Sequence, residues 1–140
     1  MIPKFRAWNK STELMDEAIL IDFYNEKIGI LYANPISQGE SVKTYSFDEV
    51  VLMQSTGLYD KNGKEIFEGD ILHWKDCEPV DDEMVYEDII VVYWSDEFMM
   101  WKAKNEDTDY IDLYDYSDNR ELELIGNIYE TPELLEEVEE

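Results

Sequence analysis

The sequence predicts a mainly β protein with minor α content: an SH3-like open barrel with a small N-terminal α+β or β extension and a short C-terminal helix. Three observations lead there. Apolar residues come in short β-branched and aromatic runs, as in Ile89 to Trp94 and Phe98 to Ala103. Turn residues punctuate those runs, most clearly Asp60-Lys61-Asn62-Gly63, where Asn62 tolerates a left-handed backbone and Gly63 adopts one without steric cost. Gly69 and Gly126 stand beside apolar strands, where a small barrel bends its chain.

Taken in order, Ile2 to Trp8 alternates Pro3, Phe5 and Ala7 with Ile2, Lys4, Arg6 and Trp8, the period of two of a strand with one apolar face. Glu13 to Ile21 fits a short helix or a strand equally, because Leu14, Met15, Ala18, Ile19 and Ile21 satisfy neither period cleanly. Asp22 to Leu31 reads as a hairpin turning near Asn25, and Asn34 to Glu40, with Pro35 and Gly39, as an exposed loop or linker. Ser46-Phe47-Asp48-Glu49 starts a turn of helix before a strand that Gln54-Ser55-Thr56-Gly57 ends. Ile66 and Phe67 pack on the core, and Glu68-Gly69-Asp70 bends the chain into Ile71-Leu72-His73-Trp74. Asp88 to Trp94 and Phe98 to Ala103 form the clearest hairpin, joined by Ser95-Asp96-Glu97. Glu121 to Tyr129 supplies a last strand with a bulge at Gly126. Thr131-Pro132-Glu133 then opens a helix, with Thr131 as N-cap and Pro132 at its first position. The chain divides into an extension, residues 1–43, and a barrel core with its helix, residues 44–140.

Length and composition bound the rest. At 140 residues, 44% hydrophobic and 14% aromatic, the chain has an apolar supply far above that of a disordered acidic chain. Its single cysteine, Cys77, forms no internal disulfide, and no charged leader opens it, so a cytosolic, reducing setting is expected. The longest apolar runs fall far short of a membrane span of roughly 20 residues.

Charge narrows the function classes. With 35 acidic against 11 basic residues, the net of −24 disfavours direct nucleic-acid binding, whose affinity comes mainly from neutralising phosphates. A protein with a basic face is the favoured partner, attracted at long range and weakened by salt. The plainer alternative is that acidity keeps an aromatic-rich protein soluble. Between Asp107 and Asp118 tyrosines alternate with aspartates, so Tyr110, Asp112, Tyr114 and Asp115 are the first candidate binding residues, followed by Asp81 and Asp82 in the acidic stretch from Asp76 to Asp88. Such a surface can imitate a nucleic acid backbone, which suits a DNA-mimic inhibitor; an edge strand protected by charge is the structural alternative.

Catalytic signals are thin. His73 and Cys77 stand four apart, but a zinc site needs about four such ligands and the chain has one of each. The acids Glu78, Asp81, Asp82 and Glu83, and the group Glu106, Asp107, Asp109, Asp112 and Asp115, match no calcium-loop pattern. No cofactor or resident metal is expected. Two alternatives to a binding module remain: a metal-dependent enzyme using those clustered carboxylates, and a self-assembling structural protein, a homo-oligomer whose barrel edges pair.

Lys4-Phe5-Arg6-Ala7-Trp8, the block from Gln54 to Leu72, and Gly126-Asn127-Ile128-Tyr129-Glu130 together resemble the YopX family of phage and prophage proteins. The resemblance covers the start, middle and end of the chain, with Asp16 to Glu40 and Asp76 to Tyr86 weakly matched. It implies a mostly β accessory protein encoded by phage or prophage, and it assigns no catalytic residue.

Overall fold

The computed structural model describes residues 2–34, 36, 38–76, 87–105, 111–112 and 120–136. They form two antiparallel sheets, a single 3₁₀ turn at Phe47–Glu49 where a turn of helix was expected, and one short α-helix, the mainly β class expected. The first sheet comprises β1 (Phe5–Asn9), β2 (Leu14–Asp22), β3 (Lys27–Asn34), β4 (Gly39–Ser46), β5 (Val50–Tyr59) and β6 (Glu65–Phe67), in the order β4-β3-β2-β1-β5-β6. The second holds β7 (Asp70–Asp76), β8 (Glu87–Ser95), β9 (Met100–Lys104), β10 (Ile111–Asp112) and β11 (Arg120–Asn127), ordered β10-β9-β8-β7-β11. Helix α1 spans Glu133–Glu136.

Two compact units divide the chain, Met1–Ser55 and Thr56–Glu140, with the boundary inside β5. The reason is strand pairing. β4 pairs with β3 over its whole length, and the first half of β5 pairs with β1, which keeps both in the first unit.

In that unit Ala7, Ile28, Ile30 and Val50 are buried, with Ala18, Ile21, Tyr45, Phe47 and Leu52 packed around them. Residues Glu13 to Ile21, ambiguous by pattern, lie in a turn and then β2. A register shift between Ala18 and Leu20 breaks the strand's alternation, which is why neither period fitted. The expected loop at Asn34 to Glu40 is shorter than read, since β4 already begins at Gly39.

Strands β2, β3, β4 and β9 are each entered through a residue, Glu13, Glu26, Gln38 or Met99, with φ between 52° and 57°. Before three of them the preceding strand's last side chain caps the turn. Asn9 Oδ1 accepts from the N–H groups of Ser11 (2.9 Å) and Thr12 (3.1 Å), Asp22 Oδ1 from Tyr24 (3.1 Å) and Asn25 (3.0 Å), and Ser95 Oγ from Phe98 (3.2 Å).

The second unit buries Ile66, Leu72, Ile90, Val92, Ala103 and Leu122, with Leu58, Trp74, Trp101 and Leu124 against them. Strand β5 does not end at Gly57 as expected; Gly57, at φ 79°, bends it and the strand continues to Tyr59. The bend at Glu68-Gly69-Asp70 is as read: Gly69 has φ 86°, its N–H reaches Val92 C=O (2.9 Å), and the buried Asp70 accepts from Phe67 N–H (2.7 Å). The bulge at Gly126 is also present, with the register shifting between Leu124 and Gly126. A Cβ there would lie 1.9 Å from Thr131 Oγ1 and 2.9 Å from Leu134 Cδ1, so only glycine lets the last strand pass under the helix. The Thr131 hydroxyl is not spent on capping α1. It accepts from Asn127 N–H (3.0 Å) and donates to Asn127 C=O (3.1 Å), pinning the turn after β11.

Asp60 is the polar centre of this unit. Its carboxylate is buried and accepts from the backbone N–H groups of Asn62 (2.9 Å), Lys64 (2.8 Å) and Leu124 (2.9 Å). Burial pushes its pKa up, but those three donors and the Lys64 charge outweigh it and hold the group below its ordinary 3.8.

Two stability predictions follow from these geometries. Asn at position 60 would turn an amide N–H₂ toward a backbone donor, so Asp60→Asn should cost about 2–3 kcal/mol in urea unfolding at pH 7. A depressed native pKa stabilises above the unfolded value and that contribution is lost as pH falls through the native one. The difference between wild type and variant should therefore shrink below pH 3.8; a gap independent of pH would show that the charge has no part in it. At the exposed Glu26, φ 55°, a glycine is free of the left-handed penalty, and Glu26→Gly should raise stability by about 0.5–1 kcal/mol in the same assay.

Candidate functional site

The β8–β9 hairpin is where the second unit presents side chains beyond its core. Trp94 and Trp101 are register partners and meet edge to face, ring centroids 5.1 Å apart at 71°. They continue the apolar face of Val92 and Ala103 outward: Trp101 packs on the core, while Trp94 is exposed. Trp94 Nε1 donates to Asp96 Oδ1 (3.1 Å), which fixes one acid of the turn against the indole. Past the exposed Asp96 and Glu97 stand Phe98, half exposed, and Met99, 71% exposed. The turn exposes large apolar side chains on both faces of the hairpin: Trp94 lies against Trp101, whereas Phe98 lies against Lys102, which points to the face opposite Trp101.

Cations of this hairpin are turned onto its own rings. Lys102, itself buried, holds Nζ 4.6 Å from the Phe98 centroid, and Lys104 Nζ lies 5.1 Å from that of Tyr93. Elsewhere in the unit Lys61 Nζ sits 3.6 Å from Glu123 Oε2. Charge is distributed unevenly between the units: residues 1–55 contain 5 basic and 8 acidic side chains, residues 56–140 contain 6 and 27, so the nets are −3 and −21. The acidity found by counting belongs almost entirely to the second unit.

Of the residues singled out from the sequence, Asp81, Asp82, Tyr110, Tyr114 and Asp115 lie outside the described residues. Asp112 is placed by its backbone on β10, the edge strand, where it pairs with Lys102 of β9. The hairpin tip and the Asp112 strand are thus joined through one strand, β9. The sequence reads this hairpin as structure and does not single out Trp94, Phe98 and Met99, which the fold leaves exposed. The signal was available, since two tryptophans flanking an acidic turn followed by Phe-Met-Met leaves more aromatic surface than two strand ends can bury.

His73, the one histidine, lies on β7 and pairs with Glu87, Nε2 to Oε2 3.1 Å; Cys77 is outside the described residues. Among the described residues no three His, Cys, Asp or Glu side chains gather where they would hold a metal ion. No helix among them is long and apolar enough to cross a membrane. The first unit has an open groove of about 710 Å³, lined among others by Asn9, Leu14, Asp16, Tyr32, Lys43 and Tyr45.

A family model described as YopX protein matches residues 4–136, nearly the whole chain. The chain belongs to the YopX family. Among solved structures, this YopX-family chain is similar to the crystal structure of protein EF1440 from Enterococcus faecalis, at 30% identity and a TM-score of 0.61, over 96% of this chain and 99% of that one. No curated protein matches it. The family expected from the N-terminal, central and C-terminal motifs is therefore the family found, and the likeness to a solved chain of matching extent covers both units.

The indole pair should be energetically coupled. In a double-mutant cycle of Trp94→Leu and Trp101→Leu, unfolding free energies should show about 1 kcal/mol of interaction beyond the two single losses, and additive losses would mean the edge-to-face contact contributes nothing.

Proposed function

We propose that this YopX-family chain is a phage- or prophage-encoded accessory protein that works by binding, in the bacterial cytoplasm, to a protein with a basic face. The observation that supports this most is the exposure of Trp94, Phe98 and Met99 around one acidic turn, in a unit of net −21 whose hairpin lysines lie over aromatic rings. Aromatic and methionine side chains supply contact area that desolvates well, and carboxylates around them set orientation and speed encounter. Tyr110, Asp112, Tyr114 and Asp115, with Asp81 and Asp82, extend the same acidic and aromatic composition. A partner that normally holds nucleic acid fits that chemistry, which makes the chain an inhibitor that occupies a phosphate-binding surface.

The test uses the full chain as bait in host lysate at low and moderate salt, beside two variants: Phe98→Ser with Met99→Ser, and Asp109, Asp112 and Asp115 all changed to Asn. A basic protein should be recovered by wild type, released as salt rises, and lost or strongly reduced with both variants. Added wild-type chain should also compete with DNA for the recovered protein. Equal recovery by wild type and variants would overturn the reading and leave the acidity to solubility.

A further inference from the structure

The first unit ends in an edge unlike the rest of the surface. β4 is the terminal strand of its sheet, eight residues long, and its pairing with β3 runs without a register shift from Lys27↔Ser46 to Asn34↔Gly39. Natural sheets blunt such edges with bulges, prolines, charges or short strands. β4 is Gly-Glu-Ser-Val-Lys-Thr-Tyr-Ser: it has no proline and no bulge against β3, its only charges are the opposite pair Glu40 and Lys43, and Val42 at its centre is 50% exposed.

Val42 belongs to an apolar strip. It is the register partner of Leu31, which stands on one face with Gly29, and Gly29 pairs with Leu20. A Cβ built on Gly29 would meet Leu20 Cβ at 2.9 Å and Val42 Cγ1 at 3.1 Å, so Leu20 and Val42 close over the glycine from both sides. Leu20, Leu31 and Val42 are all exposed, and the strip runs across the sheet to its edge.

We propose that β4 pairs antiparallel with β4 of a second copy of this chain, about a two-fold axis through Val42. Such an axis stands perpendicular to the sheet and keeps each residue on its own face. With Val42 opposite Val42, Ser41 meets Lys43, Glu40 meets Thr44 and Gly39 meets Tyr45, so no like charges stand directly opposed. Moving the axis to Lys43 would set two lysines against each other, and moving it to Ser41 would shorten the overlap. At Val42 the two strips of Leu20, Leu31 and Val42 join into one apolar surface. Charge also selects a second copy here: against another molecule of net −24, the first unit at −3 is the side of low repulsion.

The full chain should sediment as a concentration-dependent dimer, and added salt should tighten it, since like-charged copies are being screened. This is the reverse of the salt response proposed for the basic partner, so the two readings fail separately. Val42→Lys should weaken the dimer about 30-fold by placing two ammonium groups across the axis and removing apolar contact, with the β circular dichroism unchanged. In a Cys77→Ser background, Val42→Cys should cross-link the dimer under mild oxidation, whereas Glu40→Cys should not, because residue 40 faces Thr44. A monomer at every concentration and salt, or a dimer that survives Val42→Lys with no cross-link at Val42→Cys, would overturn the proposal.

Discussion

A single buried carboxylate holds the second unit to its connectivity. Asp60 accepts from Asn62 and Lys64 in its own turn and from Leu124 on β11, a strand that arrives late in the chain. Next to it, Lys61 N–H reaches Leu122 C=O (2.8 Å). An ionised group in that place is stable because each oxygen accepts from peptide N–H groups, and charge-assisted bonds of this kind are about twice as strong as neutral ones. The carboxylate therefore specifies where β11 must lie as well as stabilising it there. β11 then sets the C-terminal turn through Gly126, Asn127 and Thr131, each contact depending on the one before.

The consequence for function is a division of labour along the chain. A unit of net −21 must suppress self-repulsion to fold, and it does so with an apolar core of Ile, Leu, Val and Trp and with its few cations used internally, Lys102 and Lys104 over rings and Lys61 by Glu123. Among the described residues of the unit, Glu87, Asp96, Glu97 and Glu123 keep their carboxylates at the surface, while Asp60 and Asp70 are buried. The first unit, near neutral, carries little of that charge and exposes aliphatic side chains on β2, β3 and β4 instead. Two surfaces with different chemistry follow from one uneven distribution of charge.

How much of this was legible depends on whether the cause was local. The Asp60–Gly63 turn, the Gly69 bend and the Gly126 bulge could be read because glycine and Asx chemistry act within a few residues. Nothing local announces that Asp60 would also accept from Leu124, since that bond closes a long loop. β2 resisted reading because its register shift at Ala18 to Leu20 leaves Ile19 and Leu20 exposed, which breaks both periods. Only the first two residues of β4, Gly39 and Glu40, read as loop, because Pro35 and Gly39 are turn residues and Gly39 is the strand's first. The recurring hairpin device, a capping Asn, Asp or Ser followed four residues later by a left-handed residue, escaped notice because glutamate, glutamine and methionine are poor advertisements for positive φ. The binding candidates were chosen by composition, which finds acids and tyrosines wherever they are dense. It overlooks the β8–β9 turn, where a register pairing sets Trp94 against Trp101 and the turn leaves Phe98 and Met99 exposed.

Joining two copies at β4 would change what the acidic unit can do. Each copy brings one second unit, so the pair would carry two such surfaces in one particle, and a partner with two basic patches, or a basic array, would be held by both. The second contact is then intramolecular, with an effective concentration set by the span between the two units, and the gain in avidity requires no new residue at the acidic surface. Opposite salt responses make the arrangement self-consistent: at low salt attraction to a basic partner is strongest and association of like-charged copies weakest, and the partner's own positive charge, by neutralising two acidic units at once, removes the repulsion that opposes the pairing. Binding and self-association would then reinforce each other through electrostatics alone, with no conformational change needed in either unit.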